Sequence, residues 1–173
     1  TDIVSMTDDH GNTCAEATGS FGAIPALTRA TDIWLCQVFA GASSSTVTVT
    51  FGVTPAFARV FAVEVAGAAT SAADAGLGNH NSGTGTALSV ASNGNMPQPD
   101  NFVFGMFKSE GGAGVLLTAG ANTTLLDAPA GDTGSPDADG YQIPATSGGV
   151  ATLNATAGGS QGWSASIAVF KHK

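Results

Sequence analysis

Three histidines, His10, His80 and His172, are the first residues to test for chemistry, and they fall in a turn, a loop and the tail. A zinc centre or a nucleophilic triad needs an imidazole held against thiolates, carboxylates or a serine on a rigid element. The spacing gathers no such group, and the chain contains no G-x-S-x-G elbow, P-loop or H-E-x-x-H motif. Paired carboxylates could serve a glycosidase, but Glu16, Glu64 and Glu110 are the only glutamates. Glu16 and Glu64 sit in expected strands, opposite the larger apolar residues, and read as solvent-facing. No enzyme activity is expected.

The segment D-T-G-S-P-D-A-D-G, carrying Asp132, Asp137 and Asp139, outlines a calcium loop, because hard cations take several carboxylate and carbonyl oxygens on a flexible turn. It departs from EF-hand spacing and lacks a closing glutamate, so solvated turn residues are the plainer reading. Asp8, Asp9 and Asn12 form a similar but sparser group. No other cofactor is expected.

Cys14 and Cys36 fall on what read as neighbouring strands. Two readings stand, a disulfide or a pair of buried thiols acting as small hydrophobes. The extracellular or virion-like composition favours the disulfide, which would close a loop of about 20 residues and contribute about 3 kcal/mol.

Few charges surround these residues. Only 10% of the 173 residues are charged, against roughly a quarter in ordinary globular chains. The net charge of −8 comes from 13 acidic and 5 basic residues, and the basic ones are scattered. Phosphate neutralisation needs clustered Lys and Arg, so no nucleic acid is expected as a partner. No apolar run approaches the roughly 20 residues that span a bilayer, so no membrane is expected either. The sequence opens without a signal-peptide pattern; Thr1 follows either Met removal or loss of an upstream segment.

Short alternating segments rich in Val, Ile, Thr and Phe must position what chemistry there is. Gly11-Asn12 predicts a hairpin turn, and Phe21–Ala30 a loop. D-I-W-L-C-Q-V-F-A is apolar on both faces, which predicts a central strand covered twice. Val47, Val49 and Phe51 alternate with threonines, predicting one buried and one wet face. F-A-R-V-F-A-V-E-V predicts a further strand with Phe57, Phe61, Val63 and Val65 inward. Residues 68–85 turn to Ala, Gly, Ser, Thr and Asn and predict a long loop; 93–100 and 128–140, with their prolines, predict two more. Strands are expected in T-A-L-S-V-A-S-N, N-F-V-F-G-M-F-K, G-V-L-L-T-A-G, A-N-T-T-L-L-D, D-G-Y-Q-I-P, G-V-A-T-L-N-A-T-A and G-W-S-A-S-I-A-V-F-K. The expectation is one domain over 1–173, all-β, an antiparallel β-sandwich of about 10–12 short strands with little helix.

Several of these segments resemble a jelly-roll-like β-sandwich family found in phage virion proteins and secreted bacterial surface proteins. T-D-D-H-G-N-T resembles its opening T-D-x-x-G-N-T hairpin, S-T-V-T-V-T-F its T-V-T-V-T-F strand, T-A-G-A-N-T-T-L-L-D its A-G-x-x-x-T-L-L turn, and Q-G-W-S-A-S-I-A-V-F-K its closing W-x-A-x-I-A-x-F strand. The likeness spans nearly the whole chain through short, structural motifs, and it brings no catalytic residue. It implies a structural protein of a virion, a capsid decoration or cement protein or another head or tail component. Such a protein would bind copies of itself, as a homo-oligomer, and a shell protein. Cys14 and Cys36 stand where aromatic or aliphatic residues are common in that family, as a joint substitution to a cross-strand disulfide would require. The family's apolar strand before the hairpin is lacking here, which points to a trimmed domain or to an edge completed by another chain. The alternative is an extracellular filament subunit or glycan-binding module of a bacterial or archaeal surface, with Trp34, Tyr141 and Trp163 as candidate sugar platforms and Tyr141 the most exposed.

Overall fold

The computed structural model describes residues 3–12, 14–23, 30–36, 46–55, 58–73, 76–110, 116–128 and 136–173, and of 23 and 70–73 the backbone alone. Among the described residues the chain is all-β, with thirteen strands and no helix. In chain order these are β1 (Ile3–Asp8), β2 (Cys14–Glu16), β3 (Gly22–Ala23), β4 (Ala30–Thr31), β5 (Trp34–Cys36), β6 (Val47–Phe51), β7 (Ala68–Ala73), β8 (Asn79–Asn95), β9 (Phe102–Ser109), β10 (Leu117–Ala119), β11 (Thr124–Asp127), β12 (Asp137–Gln142) and β13 (Val150–His172). All pairings are antiparallel.

The large sheet is organised by β13. Its first half pairs with the second half of β8, from Val150↔Asn95 to Thr156↔Ala87, and its second half with the first half of β8, from Gln161↔Gly85 to Ile167↔Asn79. Between the two, β13 runs from Thr156 to Gln161 while β8 runs only from Ala87 to Gly85. This excess, through Gly158 and Gly159, bends the long ladder as a bulge does. The halves therefore fold towards each other and share one core. Ala151, Leu153, Ala155, Leu88 and Val90 come from one half, and Ala165, Ile167, Val169, Val103 and Phe107 from the other with β9. Each fully buried Leu, Ile or Phe here contributes about 1.5–3 kcal/mol. The halves meet closely at Gly105. A Cβ there would lie 2.5 Å from Leu153 Cδ1 and 3.0 Å from the Ser166 carbonyl oxygen, so any larger residue must push Leu153 aside.

Side-chain amides stitch this bend. Asn79 and Asn81 donate through Nδ2 to the Ala91 and Ser89 carbonyls, each at 2.9 Å, tying the first half of β8 to the second. At the far side β10 joins the first half of β13, while β11 joins β12 and β12 joins β9. The turn between β10 and β11 is held by Asn154, whose N–H donates to Thr123 Oγ1 at 2.7 Å and whose Nδ2 donates to the Ala121 carbonyl at 3.0 Å. The result is sheet packed on sheet, consistent with a β-sandwich.

Strand alternation gives the large sheet a second apolar face. Phe102, Phe104 and Met106 on β9 and Ala168 and Phe170 on β13 pack with Ala17, Ile33 and Leu35 from the N-terminal third. That third comprises three two-stranded ladders, β1–β6, β2–β5 and β3–β4. Small residues on β13 allow close approach: Thr31 Oγ1 and Ser166 Oγ lie 2.5 Å apart. Residues Trp163–Phe170 are consequently buried throughout.

Several expectations change. The strand covered on both faces is the end of β13, with small Ser and Ala on one side, and not D-I-W-L-C-Q-V-F-A. Of that segment Ile33 is buried, while Trp34–Cys36 pair only with β2 and are half-buried; 37–40 lie outside the described residues. Residues 58–65 form no strand, and Val60 and Val63 are exposed. Residues 68–73 and 79–85, expected as loop, are strands because β13 offers them an edge to pair with. Of the loop expected over 128–140, residues 137–140 belong to β12 and 129–135 lie outside the described residues. Finally, G-V-A-T-L-N-A-T-A and G-W-S-A-S-I-A-V-F-K are one bent strand.

Candidate functional site

Cys14 and Cys36 form a disulfide between directly opposed residues of β2 and β5. The same ladder sets Glu16 opposite Trp34, and the chain just before β5 brings in Asp32. The Trp34 indole donates from Nε1 to Asp32 Oδ2 at 2.8 Å, and Ser20 Oγ donates to Asp32 Oδ1 at 3.4 Å. The Ser20 hydroxyl also accepts from the Ile33 N–H at 3.2 Å. Burial, helped by the nearby Glu16 charge, pushes the Asp32 carboxyl up to about 6, against the stabilising hydrogen bonds from Trp34, the Ile33 backbone and Ser20.

Asp32 lines a cleft of about 140 Å³ between the N-terminal ladders and β9 and β12. Phe21, Phe51, Phe61 and Met106 supply apolar walls; Arg59, Lys108 and Asp137 supply the other charges. Lys108 and Asp137 face each other across β9 and β12, and Lys108 Nζ donates to Asp137 Oδ1 at 2.6 Å. Their side chains are only 19% and 15% exposed. This is a partly dry electrostatic cluster in a chain with few charges.

The calcium candidates are placed differently. Asp137 is engaged by Lys108. Asp139, on the same face of β12, is buried and accepts from the Asp127 N–H at 2.9 Å. Burial raises its carboxyl above the usual range, against that donation. Asp132 lies outside the described residues. In the opening turn Asp8 accepts from the N–H groups of His10 and Asn12 and from Asn12 Nδ2, and Asp9 accepts from the Thr46 N–H. The Asn12 side chain is the main cause of a lowered Asp8 carboxyl, and the Thr46 N–H of a lowered Asp9. Among the described residues no three His, Cys, Asp or Glu side chains gather into a metal-binding group.

The histidines stay apart. His10 contacts Asp9, His80 lies near the Gly19 carbonyl, and His172 meets Gln98. Glu16 and Glu64 are exposed. Of the candidate sugar platforms, Trp163 is buried, Trp34 is half-buried against Asp32, and Tyr141 is half-buried, stacked on Phe102 at 5.6 Å.

A different surface stands out at β6. It pairs with β1, and among the described residues no strand pairs with its other edge. No charged residue occurs between Asp32 and Arg59. Val4 and Val47 are 58% and 43% exposed, and Val53 and Val60 are exposed beside them in sequence or across the cleft.

Sequence reasoning passed over Asp32 and Lys108. The signal for Lys108 was its parity: Phe102, Phe104, Met106 and Lys108 share one face of β9, so a charge on an otherwise apolar face called for a partner. Asp32 gave no such signal, because its setting depends on Ser20 and Glu16, which lie 12 and 16 residues earlier in the chain. No family model, curated protein or solved structure matches the chain.

Proposed function

We propose that this chain is a non-enzymatic structural protein of a phage virion. In that role it is a capsid decoration or cement protein, or another head or tail component, which associates with itself and binds a shell protein. The observation that carries this reading is the β6 edge. Soluble proteins protect sheet edges with Lys, Pro, bulges or a covering segment, yet β6 presents V-T-V-T-F with no charge along it. An edge of that kind is suited to pairing with another chain. A chain of net charge −8 approaches a second copy at least cost where it carries no charge of its own. The motifs resembling virion proteins support the same reading.

The test is sedimentation of the purified chain, alone and with capsids of the phage whose genome encodes it. Self-association and co-sedimentation are expected, both weakened by Val47→Lys with little change in melting temperature. A chain that remains monomeric and binds no capsid refutes the proposal. The disulfide favours a second reading, an extracellular surface module, since such bonds persist in oxidising compartments. Fibres in negative stain without capsid binding would select it.

A further inference from the structure

Lys108 is one of only five basic residues, and its placement inside the cleft is costly. Burying an ion pair forfeits hydration that the mutual attraction repays only in part. The Lys108–Asp137 pair is also held in direct contact. The two residues are register partners on adjacent strands, their reactive groups lie 2.6 Å apart, and both side chains are largely covered. Phe21, Phe51 and Phe61 wall the same cleft, and a third carboxyl, that of Asp32, lines it.

We propose that Lys108 and Asp137 condense to an intramolecular amide. The Nζ–Cγ bond forms and one Cγ–O bond breaks, so an ammonium and a carboxylate become one amide and one water. One proton passes from Nζ to Asp137 Oδ1 along the hydrogen bond that joins them, which frees the nitrogen lone pair to attack Cγ, and a second leaves nitrogen with the departing oxygen, so that both end in the water. No oxidant or other reactant is needed. Condensation between free amine and acid is unfavourable in water, but groups fixed in contact react with effective molarities of about 10⁵–10⁸ M. The product also removes two charges from a partly dry site. The bond would lock β9 to β12 covalently, next to the N-terminal ladders. The proposal is independent of the virion reading, since a cross-link strengthens a domain wherever it serves.

The experiment is intact mass measurement of the whole purified chain, denatured and reduced, followed by peptide mapping. The expected mass is one water below that of the reduced sequence, with the peptide holding Lys108 joined to the peptide holding Asp137. Lys108→Arg, which keeps the ion pair but cannot form this amide, should show the full mass. A wild-type chain at full mass after prolonged incubation overturns the proposal. So does a missing water that persists in Lys108→Arg, since it would come from elsewhere, as in a succinimide at Asp139–Gly140.

Discussion

Gly105→Ala is the sharpest probe of the bent β13 ladder, because it asks whether the two halves of one strand press on the same spot. The new methyl would lie 2.5 Å from Leu153 Cδ1 and 3.0 Å from the Ser166 carbonyl oxygen, whereas carbons rest at about 3.5–4.0 Å. Leu153 must move by at least about 1 Å, and it is fully buried. Overpacking of this kind costs about 1–3 kcal/mol, or about 2–12 °C in melting temperature for a chain of this size. Leu153→Ala alone should cost about 2–5 kcal/mol through the cavity it leaves. In the double variant the added methyl occupies part of that cavity. Gly105→Ala should then cost at least about 1 kcal/mol less than it does in the parent chain. Urea melts of the four proteins, followed by far-ultraviolet circular dichroism, complete the cycle. Additive costs, within about 0.5 kcal/mol, would mean that Leu153 does not lie over Gly105 and that the halves of β13 do not stack.

Three further outcomes are expected. A thiol assay on the denatured, unreduced chain should find no free cysteine, and replacing Cys14 and Cys36 by serine should cost about 3 kcal/mol in a denaturant melt. In a Lys108→Arg background, where no amide can form, Asp32→Asn should stabilise the chain at pH 7. The Asp32 carboxyl is raised in the folded state from 3.8 to about 6, so the folded form holds the proton more tightly, and its contribution is complete below about pH 4 and lost as pH rises through 6. The advantage of asparagine should be about 1 kcal/mol once solvent screening of the partly exposed carboxyl is allowed for, and melts at pH 3.5 should show none. Calcium added in place of EDTA should leave the melting temperature unchanged, since Asp137 is held by Lys108 and Asp139 by the Asp127 N–H; a rise of several degrees would restore the calcium reading.

The all-β class was legible because alternation in V-T-V-T-F and N-F-V-F-G-M-F-K does not depend on tertiary context. Alternation failed where pairing decides. Residues 58–65 alternate well, yet Val60 and Val63 are exposed and no ladder forms there. Asn79–Gly85 has little strand propensity, yet it pairs along β13 because its backbone has a partner and its asparagines have carbonyls to bind. The strand buried on both faces was misplaced for a related reason. Large apolar side chains on both parities looked like double burial, whereas Ser164, Ser166 and Ala168 are covered because they are small enough for other strands to lie directly on them. Of the candidate site, the cysteine pair could be read from the chain. The cleft could not, since its walls come from segments more than a hundred residues apart.

β13 pairs with β7, β8, β9 and β10, all of which precede it in the chain. During synthesis the strands it joins are made first and wait for it. At about 5–20 residues per second, β9 spends some seconds outside the ribosome with Val103, Phe104 and Phe107 uncovered on both of its faces. Folding is therefore late and non-local, a regime in which exposed strands are prone to join the wrong partner. The sparse charge of the chain gives it little protection during that interval.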